Sequence, residues 1–216
     1  MLPSPTPPFF SCYNSSFHCV ASWCDMNKIE FNSILSKIGP LAFEAYSQEM
    51  TGLLPGISLP SIDFDVCTVE HLGGAESWPD TSQQKDGYGG WSWEEIYHKS
   101  KYSPEKFVIA VSSNGVFGGL FSGKLQATEV ELQFVQRDIR CASLKGFMIP
   151  ASITYSAILG LVMGRDVLTV CEPAPDIIER YRKSMKGDVS FAFGQKGEVT
   201  KMSVPVDEIV SPPTDQ

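Results

Sequence analysis

The stretch LKGFMIPASITYSAILGLVMGRDVLTV, residues 144–170, carries no charge between Lys145 and Arg165. A stretch this apolar must be buried. It is too punctuated to cross a membrane, because no run reaches the roughly 18 consecutive apolar residues that a spanning helix needs. Pro150 suits the first turn of a helix, where its missing N–H costs nothing. Gly164 suits the residue just past a helix end. Between them ASITYSAILGLVM is apolar nearly all round, which predicts a helix covered on most sides. The following DVLTVC is β-branched and apolar, and it reads as an interior strand. Ahead of the stretch, TEVELQFVQRD alternates, with Glu129, Glu131, Gln133 and Val135 on one face and Val130, Leu132 and Phe134 on the other. The unit from Glu129 to Cys171 is therefore strand, loop, helix, strand. Such a crossover makes its two strands parallel and right-handed.

The rest of the chain supplies partners for that unit. Ile29, Phe31, Ile34, Leu35 and Ile38 recur at helical spacing, Gly39-Pro40 interrupts them, and LAFEAYSQEM resumes the pattern, so residues 27–50 read as one or two helices. SIDFDVCTVEHL alternates as a strand with Ile62, Phe64 and Val66 on its covered face. Residues 73–90 read as a long polar, glycine-rich loop. WSWEEIYHKSKY is a short helix. KFVIAV and VFGGLFSGKL flank Asn114-Gly115, a strong tight-turn signal, and form a hairpin. PDIIERYRKSMKG is a helix with its acids early and its bases late, as the helix dipole favours, and Gly187 is the expected cap. A final hairpin turns at Gln195-Lys196-Gly197. The fold class is α/β: a mixed, mostly antiparallel twisted sheet of about six or seven strands with flanking helices. Residues 1–25 read as a tail or extension, 26–60 as a helical N-terminal extension, 61–206 as the main domain and 207–216 as a flexible tail.

Composition narrows the function classes. The formal charge of −8 disfavours sequence-independent nucleic-acid binding, which needs Lys and Arg for the phosphates; it suits cationic partners such as amines. Six cysteines include no Cys-x-x-Cys pair, and the loose set of Cys12, Cys19, Cys24 and His18 matches no zinc spacing, so no metal is expected. Reduced thiols in the cytoplasm are the reading for the cysteines. The first 25 residues lack the positive start and long apolar run of a secretory signal. Cys67 and His71 suggest a hydrolase only in outline, since no nucleophile elbow accompanies them.

The order of elements and three local segments resemble the GNAT N-acyltransferase superfamily across residues 61–206. KFVIAVSSNGVFGGLFSGKL is similar to its central hairpin. ELQFVQRD followed by LKGFMIPASITYSAILGLVMGRDVLTV is similar to its acyl-CoA unit of strand, phosphate loop, helix and strand. APDIIERYRKSMKG is similar to the next helix, with Tyr181 at the family's tyrosine position. At the phosphate loop the chain departs from the family's Gln/Arg-x-x-Gly-x-Gly/Ala: Ser143 stands first and Met148 takes the second small position.

The resemblance implies transfer of an acetyl or other acyl group from acyl-CoA to a primary amine, on a small molecule or a peptide. Acetyl-CoA would be the cosubstrate. Tyr181 would protonate the departing thiolate, and Glu129 or Glu131 would assist deprotonation of the amine. Backbone groups of Phe134, Val135 and Gln136 would pair with the pantetheine arm as an added strand. Lys145, Gly146, Phe147 and Met148 would face the phosphates at the helix N-terminus. Trp91 and Trp93, with Tyr88, would line the acceptor pocket. A homodimer fits the resemblance, and no nucleic acid or membrane partner does. The competing reading, favoured by the altered phosphate loop, is a non-catalytic binding or regulatory protein on the same fold with a degenerate CoA site.

Overall fold

A computed structural model describes residues 26–54, 56, 58–80 and 90–210. The expectations placed on residues 1–25, on Cys12, Cys19, Cys24 and His18, and on Tyr88 lie outside the described residues. Seven strands form one sheet: β1 (Ile62–Val66), β2 (Lys106–Ser113), β3 (Val116–Leu125), β4 (Glu129–Arg137), β5 (Val167–Cys171), β6 (Ser190–Phe193) and β7 (Val199–Pro205). Their order is β1-β2-β3-β4-β5-β7-β6. Only β4 and β5 run parallel; every other neighbouring pair is antiparallel. Six helices accompany it among the described residues: α1 (Lys28–Leu53), α2 (Val69–Glu76), α3 (Trp93–Ser100), α4 (Met148–Val162), α5 (Ile178–Met185) and α6 (Val206–Val210). This is the mixed, mostly antiparallel sheet with flanking helices that the sequence predicts, and the parallel pair falls where the crossover requires it.

The buried helix predicted from residues 144–170 is α4. It rests on β4 and β5 and touches α1, α5 and α6, which explains why neither side of it carries charge. Tyr155 is fully buried in its middle, and its hydroxyl donates to the Leu35 carbonyl of α1 at 2.9 Å, so the one long polar side chain inside is satisfied. The stripe Phe31, Leu35, Ile38, Ala42, Tyr46 and Met50 carries α1 over the same core. Its start is set by Asn27, whose side chain accepts from the backbone N–H groups of Ile29 and Glu30.

Four local expectations are corrected. Gly39-Pro40 does not interrupt α1, which runs through both residues. A Cβ at Gly39 would meet the Phe64 carbonyl at 2.8 Å, so the glycine permits close passage over β1. The first strand ends at Val66; residues 69–76, read from the sequence as strand and then loop, form α2. Here the Thr68 N–H donates to His71 Nδ1 at 3.1 Å and caps the helix start. Lys186, not Gly187, ends α5 as its cap residue, at φ 57°. Residues 207–210, placed in the tail, continue α6, with Ile209 in the core.

The fourth strand holds a further difference. Ser122 and Gly123 of β3 pair with Phe134 and Leu132 of β4, so Gln133 is an extra residue, a β-bulge. The simple alternation therefore fails after Gln133. Val130, Leu132 and Val135 all pack on the α1/α4 face. Phe134 lies against the second cluster, around Trp91 and Trp93, on the opposite face.

Candidate active site

The pairing of β4 with β5 runs from Glu129↔Val167 to Leu132↔Val170 and then stops. The fourth strand continues to Arg137, paired only with β3 over residues 134–137. The fifth strand ends at Cys171, and Glu172 adopts φ 46° while its N–H bonds the Thr200 carbonyl. A non-glycine residue in the left-handed region is uncommon; here it turns the chain away from β4 and towards β7. The two parallel strands part, and one edge of β4 faces the opening. This is where Phe134, Val135 and Gln136 lie. Their side chains are not equivalent: Val135 enters the core, while Gln136 is buried and its Oε1 accepts from Trp93 Nε1 at 2.6 Å.

Beyond β4 the chain enters a braced loop of residues 138–147. Arg137 Nη1 donates to the carbonyls of Asp138, Ile139 and Cys141 at 2.8, 3.1 and 2.9 Å. Asp138 accepts from the Arg140 backbone and guanidinium, and Arg140 reaches the Ser77 carbonyl after α2. Burial raises the Asp138 pKa, but the Arg140 hydrogen bonds and the charges of Arg140 and Arg137 outweigh it and hold the carboxyl below its usual value. The loop closes with a 3₁₀ turn, Ala142–Leu144, and delivers Gly146 at φ 86° to the start of α4.

Lys145 and Gly146 are exposed there. Phe147 is half-buried and meets the Tyr46 ring edge-on at 6.5 Å. The Met148 side chain is buried, and a Cβ at Gly119 of β3 would meet its sulfur at 2.6 Å. Gly119 thus opens the space that the Met148 side chain fills. The first N–H groups of a helix lack intrahelical partners, and Pro150 removes one of them. Met148 and Ile149 supply two at this terminus.

The two glutamates lie on the sheet face opposite α4. Lys201 of β7 bridges them, its Nζ 3.1 Å from Glu131 Oε1 and 3.6 Å from Glu129 Oε1. The Lys201 pKa is raised, first by its hydrogen bond to Glu131. Thr169 donates to Glu129 at 2.5 Å and shares a 2.9 Å hydrogen bond with Ser203. Gln126 and Gln133 approach the other oxygen of Glu131 at 3.4 and 3.3 Å. Glu131 is only 8% exposed and sits one residue from the last β4/β5 pair, nearer the parting than Glu129. The bulged Gln133 is the residue that reaches back to it.

Tyr181 is 5% exposed and belongs to the core cluster on the α4 face. Among the described residues nothing hydrogen-bonds its hydroxyl, and burial pushes the phenol well above its ordinary pKa. The structure therefore does not join Tyr181 to either glutamate by a contact. Trp91 meets Trp93 and Phe134 edge-on at 6.4 and 5.5 Å. A small cavity of about 150 Å³ lies beside both tryptophans. A larger open concavity of about 550 Å³ lies elsewhere, between α1 and the start of α2. Cys67 and His71 make no hydrolase: the thiol is buried, with its pKa pushed up to about 12 by desolvation, and the imidazole caps α2. Among the described residues no group of three or more His, Cys, Asp and Glu is placed to hold a metal ion, and no helix is long and apolar enough to cross a membrane.

Sequence reasoning missed Lys201, Thr169 and Ser203, and it read Gln133 on the glutamate face without its role. These three are one face of β5 and β7, joined across the register Thr169↔Ser203 and Cys171↔Lys201. The alternation in VTKMSV carries Lys201 and Ser203 on one side, which was the available signal. The bulge is what the alternation did not show at Gln133.

No family model matches the chain, and no curated protein matches it. Solved structures resemble it at low identity. The GNAT domain of S. lividans PAT is 13% identical, over 67% of this chain and 90% of that one, with TM-score 0.48. PaiA N-acetyltransferase from Thermoplasma acidophilum, solved in complex with coenzyme A, is 12% identical over 67% and 99%, with TM-score 0.45. Ard1 from Thermoplasma volcanium is 13% identical over 67% and 97%, with TM-score 0.43.

Proposed function

We propose that this chain is a divergent GNAT-type acyltransferase that moves an acyl group from acyl-CoA to a primary amine, in the cytoplasm. The observation that carries the reading is the parting of β4 from β5 after Leu132 and Val170. It leaves an unpaired strand edge leading to a helix N-terminus, with a buried carboxylate at the fork. An extended amide-bearing arm fits the edge as an added strand. A phosphate fits the N–H groups of Met148 and Ile149, with Lys145 beside them as an exposed cation. Acyl-CoA supplies the activated acyl group, whose C–S bond breaks as the bond to the amine nitrogen forms.

Glu131 is the better candidate for assisting deprotonation, because Glu129 is turned into the Thr169 and Ser203 contacts. Glu131 takes the ammonium proton directly or through water and returns it to solvent. Lys201 orients its carboxylate and leaves the pair of glutamates with one uncompensated negative charge, which favours an incoming ammonium. Tyr181 stays protonated at neutral pH. With so high a pKa it donates a hydrogen bond to the departing thiolate more readily than it gives up its proton. Trp91 and Phe134 offer an aromatic side to the acceptor, on the same face as Glu131.

The competing reading, a binding or regulatory protein on this fold, draws on the braced phosphate loop: Arg137 is committed to three carbonyls and Met148 fills the place of a small residue. Thermal unfolding with CoA and acetyl-CoA, followed by thiol release from acetyl-CoA with a panel of primary amines, separates the two. The enzyme reading expects a raised midpoint and amine-dependent release that Glu131→Gln reduces. A raised midpoint without release from any amine favours the binding protein. An unmoved midpoint at saturating CoA removes the enzyme reading and favours a binding protein whose phosphate loop no longer takes CoA.

A further inference from the structure

We propose that Lys201 is itself an acyl acceptor, so that the chain modifies its own β7 when acyl-CoA is bound and no free amine competes. The inference rests on the acyl-transfer reading and gives that site a second, internal substrate. Any amine acylated with the help of Glu131 must stand within hydrogen-bond reach of that carboxylate. Lys201 already stands there, its Nζ 3.1 Å from Glu131 Oε1 and 3.6 Å from Glu129 Oε1. It is a primary amine on a flexible four-carbon stem. Lys201 pairs with Cys171, the last residue of β5, so its stem starts level with the parting of β4 from β5. From there the side chain reaches back across β5 to β4. It is 44% exposed, so a thioester can approach it without opening the sheet. Lys124 of β3 is directly opposite Glu131 in the sheet, yet its Nζ is turned to Glu105 at 3.8 Å.

The chemistry is that of any primary amine at this site. Glu131 takes one proton from the ammonium and passes it to solvent. The nitrogen forms a bond to the acyl carbon as the C–S bond breaks. A second proton leaves the nitrogen and one arrives on the departing sulfur. CoA leaves as a thiol, and Lys201 becomes an uncharged amide that no longer bridges the two glutamates. The hydrogen bond to Glu131, with the charges of Glu131, Glu129 and Cys171, raises the Lys201 pKa. The ammonium therefore persists at neutral pH, and Lys201 is a poor nucleophile without the base. Lys28 is the opposite case. Burial lowers its pKa from 10.5 to about 8, so it holds the larger free-amine fraction. Uncatalysed acylation should take Lys28 before Lys201.

Incubation of the full chain with excess isotope-labelled acetyl-CoA and no added amine, followed by peptide mass spectrometry, gives the label on each lysine over time. Lys201 should lead Lys28 and the exposed Lys196. Glu131→Gln should slow labelling of Lys201 by about tenfold or more, although loss of the carboxylate frees the amine and would hasten a purely chemical reaction. Butylamine, which copies the lysine stem and head, should slow labelling of Lys201 and leave Lys28 unchanged. If Glu131→Gln fails to fold, the butylamine competition decides. Label led by Lys28 or Lys124 overturns self-acylation, as does faster labelling of Lys201 in Glu131→Gln. An unlabelled Lys201 in a chain whose thermal midpoint acetyl-CoA raises overturns it too, and leaves the acyltransferase reading standing. An unlabelled Lys201 with an unmoved midpoint overturns both.

Discussion

The two faces of the sheet are built by the same strands, yet they are finished differently. On one face α1, α4, α5 and α6 cover apolar side chains from β1 across to β7, in a continuous core. On the other, α2 and α3 cover only a smaller cluster over β2 and β3. Past them, β4, β5 and β7 present Glu129, Glu131, Thr169, Lys201 and Ser203, which satisfy one another. The difference comes from period-2 alternation and from how many helices each face receives. A closed face must be apolar, because unpaired polar groups there are costly. A face left without a helix can keep charge, and charge is what an amine can use.

Neighbouring residues on β4 put this contrast to the sharpest test. Leu132 points to the closed face and is fully buried; Leu132→Ala should cost about 2–5 kcal/mol in urea unfolding. Glu131 points the other way. Glu131→Gln loses the charge-assisted bond to Lys201 and should cost about 1.5–3 kcal/mol, less than Leu132→Ala, while lowering amine acylation by about 10²–10⁴-fold in kcat/KM. Equal destabilisation by the two changes would break the contrast.

At the rim of the closed face, Asn27→Ala removes the cap of α1 and should lower stability by about 1 kcal/mol, read as a drop in the urea midpoint without a change in slope.

The loop that joins the faces at the open edge is tested by acid. The Asp138 carboxyl is held below its usual value in the folded state. Its contribution is therefore present above the unfolded value, about 3.9, and is lost as pH falls through the folded value. Unfolding measured between about pH 5 and pH 2 should show a shallower loss in Asp138→Asn than in wild type; parallel curves would remove the brace from the account of this loop. The smallest effect belongs to Val69, which is 68% exposed at the start of α2: Val69→Ser should stay within about 0.5 kcal/mol.

How much of this was legible follows from the range of the interactions involved. The α4 segment was readable because one feature, the absence of charge from 146 to 164, has a single physical cause in a helix packed on several sides. The Asn114-Gly115 hairpin was readable because both residues must take positive φ, and they do, at 51° and 76°. The α2 helix was missed because its start depends on Thr68 and His71 pairing, while Val69 and the glycines argue locally against it. The side-chain faces of β4 were half right: Glu129 and Glu131 share a face as read, but the bulge at Gln133 reverses Phe134 and Val135. Bulges arise from pairing with β3, which local pattern does not contain. Lys201 lies 70 residues from its partner Glu131, and only the sheet order brings them together.

The most direct test of an acyl-CoA site at the β4/β5 parting is to titrate the full chain with CoA and follow backbone amides by ¹H–¹⁵N NMR. Binding there predicts the largest shifts at residues 133–137 on β4 and at 146–149 entering α4. Shifts confined to the concavity between α1 and α2, with residues 133–137 unmoved at saturation, would contradict it.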